Sequence, residues 1–452
     1  MSSCEKVLSK AKSLNLDECE AFFIEKKVTT IRITDSEIAE LKQNQERGIA
    51  VRIIHGKKIG SAKTSNFEKS EEIIEKALQS TALVKPKNFW KSLPHSAKFP
   101  SVDRTYDKKL AEISGVEASD IAQTMIDSAK HQKVTTISGS LNIVSESVEI
   151  ANNTGLNCTN KATYIAGNIN ADSNFGSLPV SGVGAVSSRT TTGFSAETVG
   201  IDATKMCVNS INPESCQSEV YSIIFEPYAI GEMLAFVFSS NFNLKTYSEK
   251  RSCFVDKLGK NIATENFNLI DDPHHPDGIG SKPFDDEGVI TLPRYLIKSG
   301  IFTNTFSDLF YAYKEGKEST GNASRMGMPM GRTAQPIPFP LPHNLRIDGD
   351  KITKDEMIKN TKKGLLVGRL WYTYPVNPER GDFSCTARSG IKIIENGIIK
   401  NPGKSVRIVH NLPTLLQNIS AIGDDTKNVL QWSSLPCITP TVKVEGIKVV
   451  PI

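Results

Sequence analysis

Apolar positions follow two periods in this chain, and the switches between them mark its elements. Val7, Leu8, Ala11 and Leu14 share one helical face behind Ser2 and Glu5, which have capping-box spacing, and this predicts a short opening helix. From Glu20 to Thr64 the pattern turns β-rich. The runs AFFIEKKVTTIRIT, EIAELKQNQ, GIAVRIIH and KIGSAKT are separated by Asp35-Ser36, Glu46-Arg47 and Gly56-Lys57, which predicts a meander of four strands. Ser65 and Glu68 repeat the capping-box spacing ahead of Ile73, Ile74, Ala77 and Leu78, so a second helix is expected from about residue 66. Residues 1–84 thus form a first unit of helix, small antiparallel sheet and helix.

Residues 85–114 are rich in Lys, Pro and Ser with isolated large apolar side chains, as expected of a connector laid over a surface. A middle unit, 115–218, opens on a helical stripe of Ala118, Ile121, Ala122, Met125, Ile126 and Ala129. Long β-type runs follow around Thr135 to Ile150, Asn157 to Asn170 and Gly182 to Phe194, with Asn152-Asn153-Thr154-Gly155 as the hairpin turn between the first two. The plain interpretation is an antiparallel sheet over a helix. A groove along its Ser/Thr/Asn-rich strands for an extended peptide is the second. The third unit, 221–452, begins with the strand YSIIF. A helix is expected to start at Glu226-Pro227, with Ile230, Met233, Leu234, Val237 and Phe238 on one face. Strands and Gly/Asp loops, an irregular stretch from Met326 to Pro342, a hairpin at Asn396-Gly397, a helix near Pro413 to Ile419 and the closing strand TVKVEGIKVV complete an α+β fold.

Composition narrows the function classes. The 452 residues carry 54 basic and 50 acidic side chains, a net charge of +4, without a Lys/Arg run interleaved with aromatics, so no nucleic-acid partner is expected. The first residues lack an apolar core of signal-peptide length and no later stretch approaches a membrane-spanning run, so the expectation is a cytoplasmic chain with no membrane partner. Eight scattered cysteines form no CxxC pair and are expected to serve as small apolar residues in a reducing compartment.

Four Gly/Asn/Asp-dense segments carry a resemblance: FDDEG (Phe284 to Gly288), STGNASR (Ser319 to Arg325), PHNLRIDGD (Pro342 to Asp350) and GDFSCTARSGIKIIENGIIKNP (Gly381 to Pro402). Together they resemble the TldD/PmbA family, over nearly the whole chain and most strongly from Phe225 onward. In this family TldD and its paralogue TldE (PmbA) form a heterodimeric zinc peptidase associated with degrading unfolded or short peptides and trimming precursors. The catalytic subunits carry HExxxH on the helix after a strand, matching Phe225 to Phe242 here. Two histidines four apart on a helix can clasp one metal while the Glu takes a proton from its bound water. This chain has FEPYAIGEMLAFVFSSNF, with no histidine. Glu232 remains, expected as an exposed helix residue. The family's Cys ligand lies in a loop before the final strand; here QWSSLPCITP holds Cys437, expected as a core residue. The resemblance therefore implies the TldE branch: no catalytic residue and no cofactor in this chain, zinc in a TldD-like heterodimer partner, and a peptide channel that this chain completes.

Two other functions compete: an active metallopeptidase with a non-standard site in DDPHHPD (Asp271, His274, His275), and a homomeric peptide-binding protein. A solvated loop is the plainer interpretation of DDPHHPD, because the family has Asp-Asp-Pro there without the histidines. There is no GxSxG elbow and no P-loop, and SGVGAVSS (Ser181 to Ser188) lacks the third Gly of a nucleotide loop. Gly321, Asn322, Arg325, Asn344 and Asp382 are substrate-channel candidates, since small polar residues in irregular backbone can present N–H and C=O groups to a peptide. Arg325 has two open partners, the acidic run Asp285-Asp286-Glu287 and a peptide carboxylate.

Overall fold

The computed structural model describes residues 2–67, 72–430 and 435–452; Glu68 and residues 431–434 lie outside the described residues. Helix α1 (Ser3–Ser13) starts as predicted, the Ser2 hydroxyl accepting from Glu5 N–H while the Glu5 carboxylate accepts from Ser2 N–H at 2.7 Å. Strands β1 (Glu18–Thr34), β2 (Glu37–His55) and β3 (Lys58–Thr64) follow, joined by two-residue turns in which Asp35, Ser36, Gly56 and Lys57 all have positive φ. The meander has three strands where four were predicted. Glu46-Arg47 is not a turn, for β2 runs through it in register with β1 (Glu46 opposite Lys26, Arg47 opposite Glu25). β3 covers only Ile49 to His55 of β2, so the first half of β2 is a sheet edge. Its Lys, Glu and Gln residues are edge chemistry, which mimics turn composition in the sequence.

Helix α2 (Glu72–Thr81) packs Ile73, Ile74 and Ala77 with Cys4, Val7 and Ala11 of α1 against this sheet. The connector then crosses to the C-terminal unit, where buried Trp90 meets Tyr313 edge-on at 5.5 Å and Phe89 meets Phe310 at 5.2 Å. After a single turn, α3 (Lys108–Ala111), helix α4 (Gly115–Ala129) begins on a Ser114/Glu117 capping box and buries Ala118, Ala122, Met125, Ile126 and Ala129. Strands β4 (Thr136–Asn152), β5 (Asn157–Ser173) and β6 (Val180–Ser188) come next. β4 pairs with β1 from Asn152 opposite Glu20 to Gly139 opposite Ile33, which makes one six-stranded antiparallel sheet in the order β3-β2-β1-β4-β5-β6. The first and middle units are separate along the chain but share this sheet.

Helix α5 (Ala196–Val208) had no counterpart among the predicted elements. It lies beside α4 and crosses β6 where Gly182 and Gly184 leave no room for side chains: a Cβ there would stand 2.2 Å from Ala203 O and 2.0 Å from Val199 O. The glycines of SGVGAVSS thus serve close helix–strand packing.

In the C-terminal unit β7 (Val220–Phe225) sits inside a ten-stranded sheet, antiparallel to Val442–Pro451 and parallel to Lys363–Val367. Helix α6 (Pro227–Met233) follows with Pro at its first turn, then widens into a π turn over Leu234–Phe238 and tightens to a 3-10 turn over Ser239–Phe242. It packs into the large core that includes Phe225, Phe238, Phe242, Leu345 and Val442. A second six-stranded sheet contains Asn268–Asp271, Leu345–Asp348 and Pro436–Thr439. The predicted hairpin is present, with Asn396 at φ 49° and Gly397 at φ 80° between Lys392–Glu395 and Ile398–Pro402. No described helix is long and apolar enough to cross a membrane.

Candidate functional site

A groove of about 940 Å³ opens between the first sheet and the C-terminal unit. Its floor follows from strand alternation. Ile165, Ile169 and Ala171 of β5 point into the core beneath α4 and α5, so Ala166, Asn168, Asn170 and Asp172 face the other way, beside Ser181 and Ala185 of β6. The opposite wall carries Tyr228 of α6 with Arg369, Trp371 and Arg388 from the antiparallel strands Arg369–Asn377 and Asp382–Ser389. The Lys354 ammonium pairs with Glu226 at 2.8 Å at the rim.

Arg369 is 7% exposed. Its carbon Cζ lies 4.3 Å from the centre of the Trp371 ring, and Cζ of the exposed Arg388 lies 5.0 Å from the same ring. One Arg369 terminal nitrogen reaches Asn170 Oδ1 at 3.4 Å and its Nε has no hydrogen-bond partner. Beside it stands Glu232, and here the expectation of an exposed residue is corrected. Glu232 is 3% exposed, because α6 is sandwiched between Arg369–Asn377 and the strands Lys427–Leu430 and Pro436–Thr439, and every α6 residue except Tyr228 is buried. Glu232 Oε1 accepts from the Thr373 hydroxyl at 2.7 Å while Oε2 has no partner. Burial pushes its carboxyl up to about 7, against the opposing pulls of Thr373 and of Arg369.

Cys437 is buried as predicted, and its thiol points at α6, toward Gly231 O at 3.7 Å. Burial holds that thiol protonated, well above its ordinary range. The meeting place of helix and cysteine therefore exists, but it offers one carboxylate tied to Thr373 and one protonated thiol, a donor set that does not fit zinc. Among the described residues no group of three His, Cys, Asp or Glu side chains is arranged to hold a metal ion.

Asp271, His274 and His275 do not converge. Asp271 is buried, accepting from Asn322 Nδ2 at 2.6 Å and from the N–H groups of His343 and Asn344 at 2.7 and 3.1 Å, and burial raises its carboxyl to about 6. His274 Nε2 lies 3.1 Å from the Thr291 hydroxyl, and His275 Nδ1 accepts from Asp277 N–H at 3.3 Å. The loop is not simply solvated either: Asp271 ends a buried strand, and Asp272 and Pro273 beyond it are also buried.

The substrate-channel candidates separate in the same way. Gly321, at φ 72°, places its carbonyl 2.7 Å from His343 Nε2; Asn322 braces Asp271; Asn344 donates to Asp272 O at 2.6 Å and Ser281 Oγ at 3.0 Å. Asp382 lies elsewhere, accepting from Asn411 Nδ2 at 2.9 Å. None of these, nor Arg325, lines the groove. Gly321, Asn322, Arg325 and Asn344 are buried and meet partners within the chain, as buried polar groups do, while Asp382 is half-buried beside the exposed Arg380.

Arg325 is fully buried and belongs to an ionic seam that binds the first sheet to the C-terminal unit. Its guanidinium pairs with Glu20 of β1, and its Nε and backbone N–H donate to Asp286, so of the two open partners the intramolecular one is occupied. Arg52 of β2 joins Glu20 at 2.7 Å and also pairs with Glu287; Arg332 joins Glu146 of β4 at 2.7 Å and Asp286 at 2.8 Å. Burial alone would raise the Asp286 carboxyl, yet Lys282 and Arg332 hold it well below the usual carboxylate range.

The groove residues were missed by the sequence reasoning. Arg369 and Trp371 stand two apart in a β-type run, which places them on one face, and that spacing is the signal that was there to find.

Family models place these elements. The C-terminal domain model of the PmbA/TldA metallopeptidases matches residues 218–451, and the model of their domain 1 matches residues 19–83. The chain belongs to the PmbA/TldD family. It is 25% identical over 411 residues to a metalloprotease of Methanothermobacter thermautotrophicus, covering 88% of this chain and 86% of that protein. It is 29% identical over 252 residues to metalloprotease PmbA of Escherichia coli O157:H7, which spans 55% of this chain but only 51% of that protein. The fold is that of TldE from Thermococcus kodakarensis, with a TM-score of 0.88 at 24% identity over 99% of this chain and 100% of that one. This PmbA/TldD chain is thus metallopeptidase-like in family and TldE-like in architecture.

Proposed function

We propose that this chain is the zinc-free subunit of a TldD/TldE-type peptidase, and that its groove completes a peptide channel whose zinc, general base and Cys ligand belong to a TldD-like partner. One observation carries the reading. At the helix where the family's catalytic subunits hold two histidines, α6 presents Tyr228 and a buried Glu232, while the groove beside it remains open. Asn168, Asn170 and Ser181 offer amide and hydroxyl groups of both polarities along a strand direction, which suits the backbone of an extended peptide. The chain's contribution is then binding and orientation, with no proton transfer asked of its own residues. Seven of the eight free cysteines are buried, which suits the reducing cytoplasm we assign to the complex.

Co-expression with the TldD-like chain of the same genome tests the reading. The expected result is a one-to-one complex whose peptidase activity needs both chains, through an interface of at least about 1,200 Å². A TldD-like chain fully active alone, and indifferent to this one, overturns it. Elemental analysis of the dialysed single chain should find no stoichiometric zinc. About one zinc per chain, lost in the double variant His274→Ala/His275→Ala, would move the metal to the Asp271 loop.

A further inference from the structure

We propose that Arg369 and Arg388, both set over the ring of Trp371, form a carboxylate-binding subsite within the groove. The assignment rests on the groove being a peptide channel and adds what it recognises: a carboxylate of the bound peptide.

The other buried guanidinium groups meet acceptors within the chain; even Arg52, whose Nε has no hydrogen-bond partner, pairs with the carboxylates of Glu20 and Glu287. Arg325 spends its donors on Asp286 O, Gln335 O, Pro336 O and the Glu20 carboxylate. Arg189 spends its donors on the carbonyls of Thr163, Ile279, Ser281 and Thr105. Arg332 meets two carboxylates. Arg369, buried to a similar degree, has one long bond to Asn170 and an unpartnered Nε, and it lines an open groove. Buried polar groups are satisfied as a rule, so a guanidinium with donors to spare at the wall of a cavity is a site whose partner arrives from outside.

The surroundings select the charge and shape of that partner. Among the described residues no carboxylate pairs with Arg369 or Arg388, although both stand over one indole, so two like charges are held close without an anion between them. Among the described residues none of the acidic groups lining the groove pairs with either arginine: Glu226 meets Lys354 at 2.8 Å, Asp425 meets Thr441 at 2.7 and 2.8 Å, Asp202 meets Lys427 at 3.7 Å, Asp172 accepts from Asn170 at 2.9 Å, and Asp355 lies in the first turn of the helix Lys354–Lys359. Gly368 and Gly390 flank the two arginines in the groove wall and put no side chain over them. A planar fork with free N–H groups matches a carboxylate's two oxygens, and the indole keeps the guanidinium groups oriented while the anion is absent. A peptide offers this group at its C-terminus or on an Asp or Glu side chain.

The test uses the full chain alone and short peptides of neutral residues labelled at the N-terminus, followed by fluorescence anisotropy. If the terminal carboxylate is the ligand, amidating the C-terminus weakens binding roughly tenfold or more. If a side chain supplies it, the amidated peptide regains affinity when one internal Gln is exchanged for Glu. Either pattern supports the subsite, provided Arg388→Gln, at an exposed position that leaves the fold intact, abolishes the preference, and Arg369→Gln does the same. Lys205→Gln, elsewhere in the groove, should leave the preference in place. Equal affinity for acid, amide and Glu-containing peptides overturns the subsite and leaves the peptide channel standing. Failure of every peptide to bind overturns both, independently of whether a TldD-like chain is captured in the co-expression experiment.

Discussion

The ionic seam and the groove bury the same kinds of side chain and treat them in opposite ways. In the seam, Arg52, Arg325 and Arg332 each meet carboxylates, and their partners come from β1, β4 and the Asp286–Glu287 loop. In the groove, Arg369 stacks on Trp371 and meets no carboxylate, and Glu232, buried next to it outside the groove lining, keeps one oxygen unpartnered. Taking a charge out of water is unfavourable in both places. In the seam that penalty is offset within the chain, with the consequence that the first sheet and the C-terminal unit have one relative placement. In the groove the offset is left to something the chain does not contain. A buried charge with a partner fixes structure; one without a partner marks where a ligand belongs.

The sharpest way to break this comparison is Glu20→Ala. The variant leaves Arg52 and Arg325 buried with one carboxylate fewer, and removing one member of a buried ion pair destabilises by about 3–5 kcal/mol. Urea unfolding of variant and wild type measures it. A change within about 0.5 kcal/mol, the range of an ordinary surface substitution, would show that the seam does not lock the two units together.

Glu232→Gln probes the groove side, with the opposite sign. The folded carboxyl titrates near 7, above its ordinary value of 4.5, so the folded chain holds a proton that the unfolded chain has released between those values. Stability is therefore fully present below about pH 4.5 and is lost as pH rises toward 7. Gln keeps a hydrogen-bond acceptor for Thr373 and cannot ionise, so at pH 8 the variant should be more stable than wild type by roughly 1–3 kcal/mol, and equal to it near pH 4. Asp308 of the seam region, also raised to about 7 by burial and by Glu287, contributes a similar slope in both proteins and cancels in their difference. A difference that does not change with pH would mean that Glu232 is already ionised in the folded chain.

The contrast also separates what the sequence could show from what it could not. Local devices were legible: the capping boxes at Ser2/Glu5 and Ser114/Glu117, the apolar stripe of α4, and the Asn396-Gly397 turn all depend on residues within a few positions of one another. The errors arise where distant pairing decides. The polar middle of β2 looks like a turn until β1 is laid beside it, and the union of the first and middle units appears only when β4 pairs with β1. Arg325 and Glu20 are 305 positions apart. Glu232 looked exposed because a single helix cannot show that it is covered on several sides. Helix α5 was missed because glycines in β6, rather than a strong apolar stripe, let it dock.

Arg369→Gln is expected to have the smallest effect on stability, and it decides whether the contrast is real. The substitution gives up the guanidinium–indole contact, worth about 2 kcal/mol where the cation is desolvated as it is here, and the long bond to Asn170. Against that, it relieves the burial of a charge that no carboxylate pairs; burial already pulls the Arg369 guanidinium below its ordinary range despite Tyr228 and Glu232 nearby. The two effects oppose each other and should leave the unfolding free energy within about 1 kcal/mol of wild type. Arg325→Gln, measured alongside, should instead cost several kcal/mol, since Arg52 keeps only the other Glu20 oxygen and the Gln335 and Pro336 carbonyls lose their Arg325 donor. Removing the Arg369 charge also withdraws one of the two effects that hold Glu232 down, so the pH at which stability is lost should move upward in Arg369→Gln. If Arg369→Gln proves as damaging as Arg325→Gln, and the pH profile does not move, then Arg369 is a structural cation like those of the seam and the groove holds no charge in reserve for a ligand.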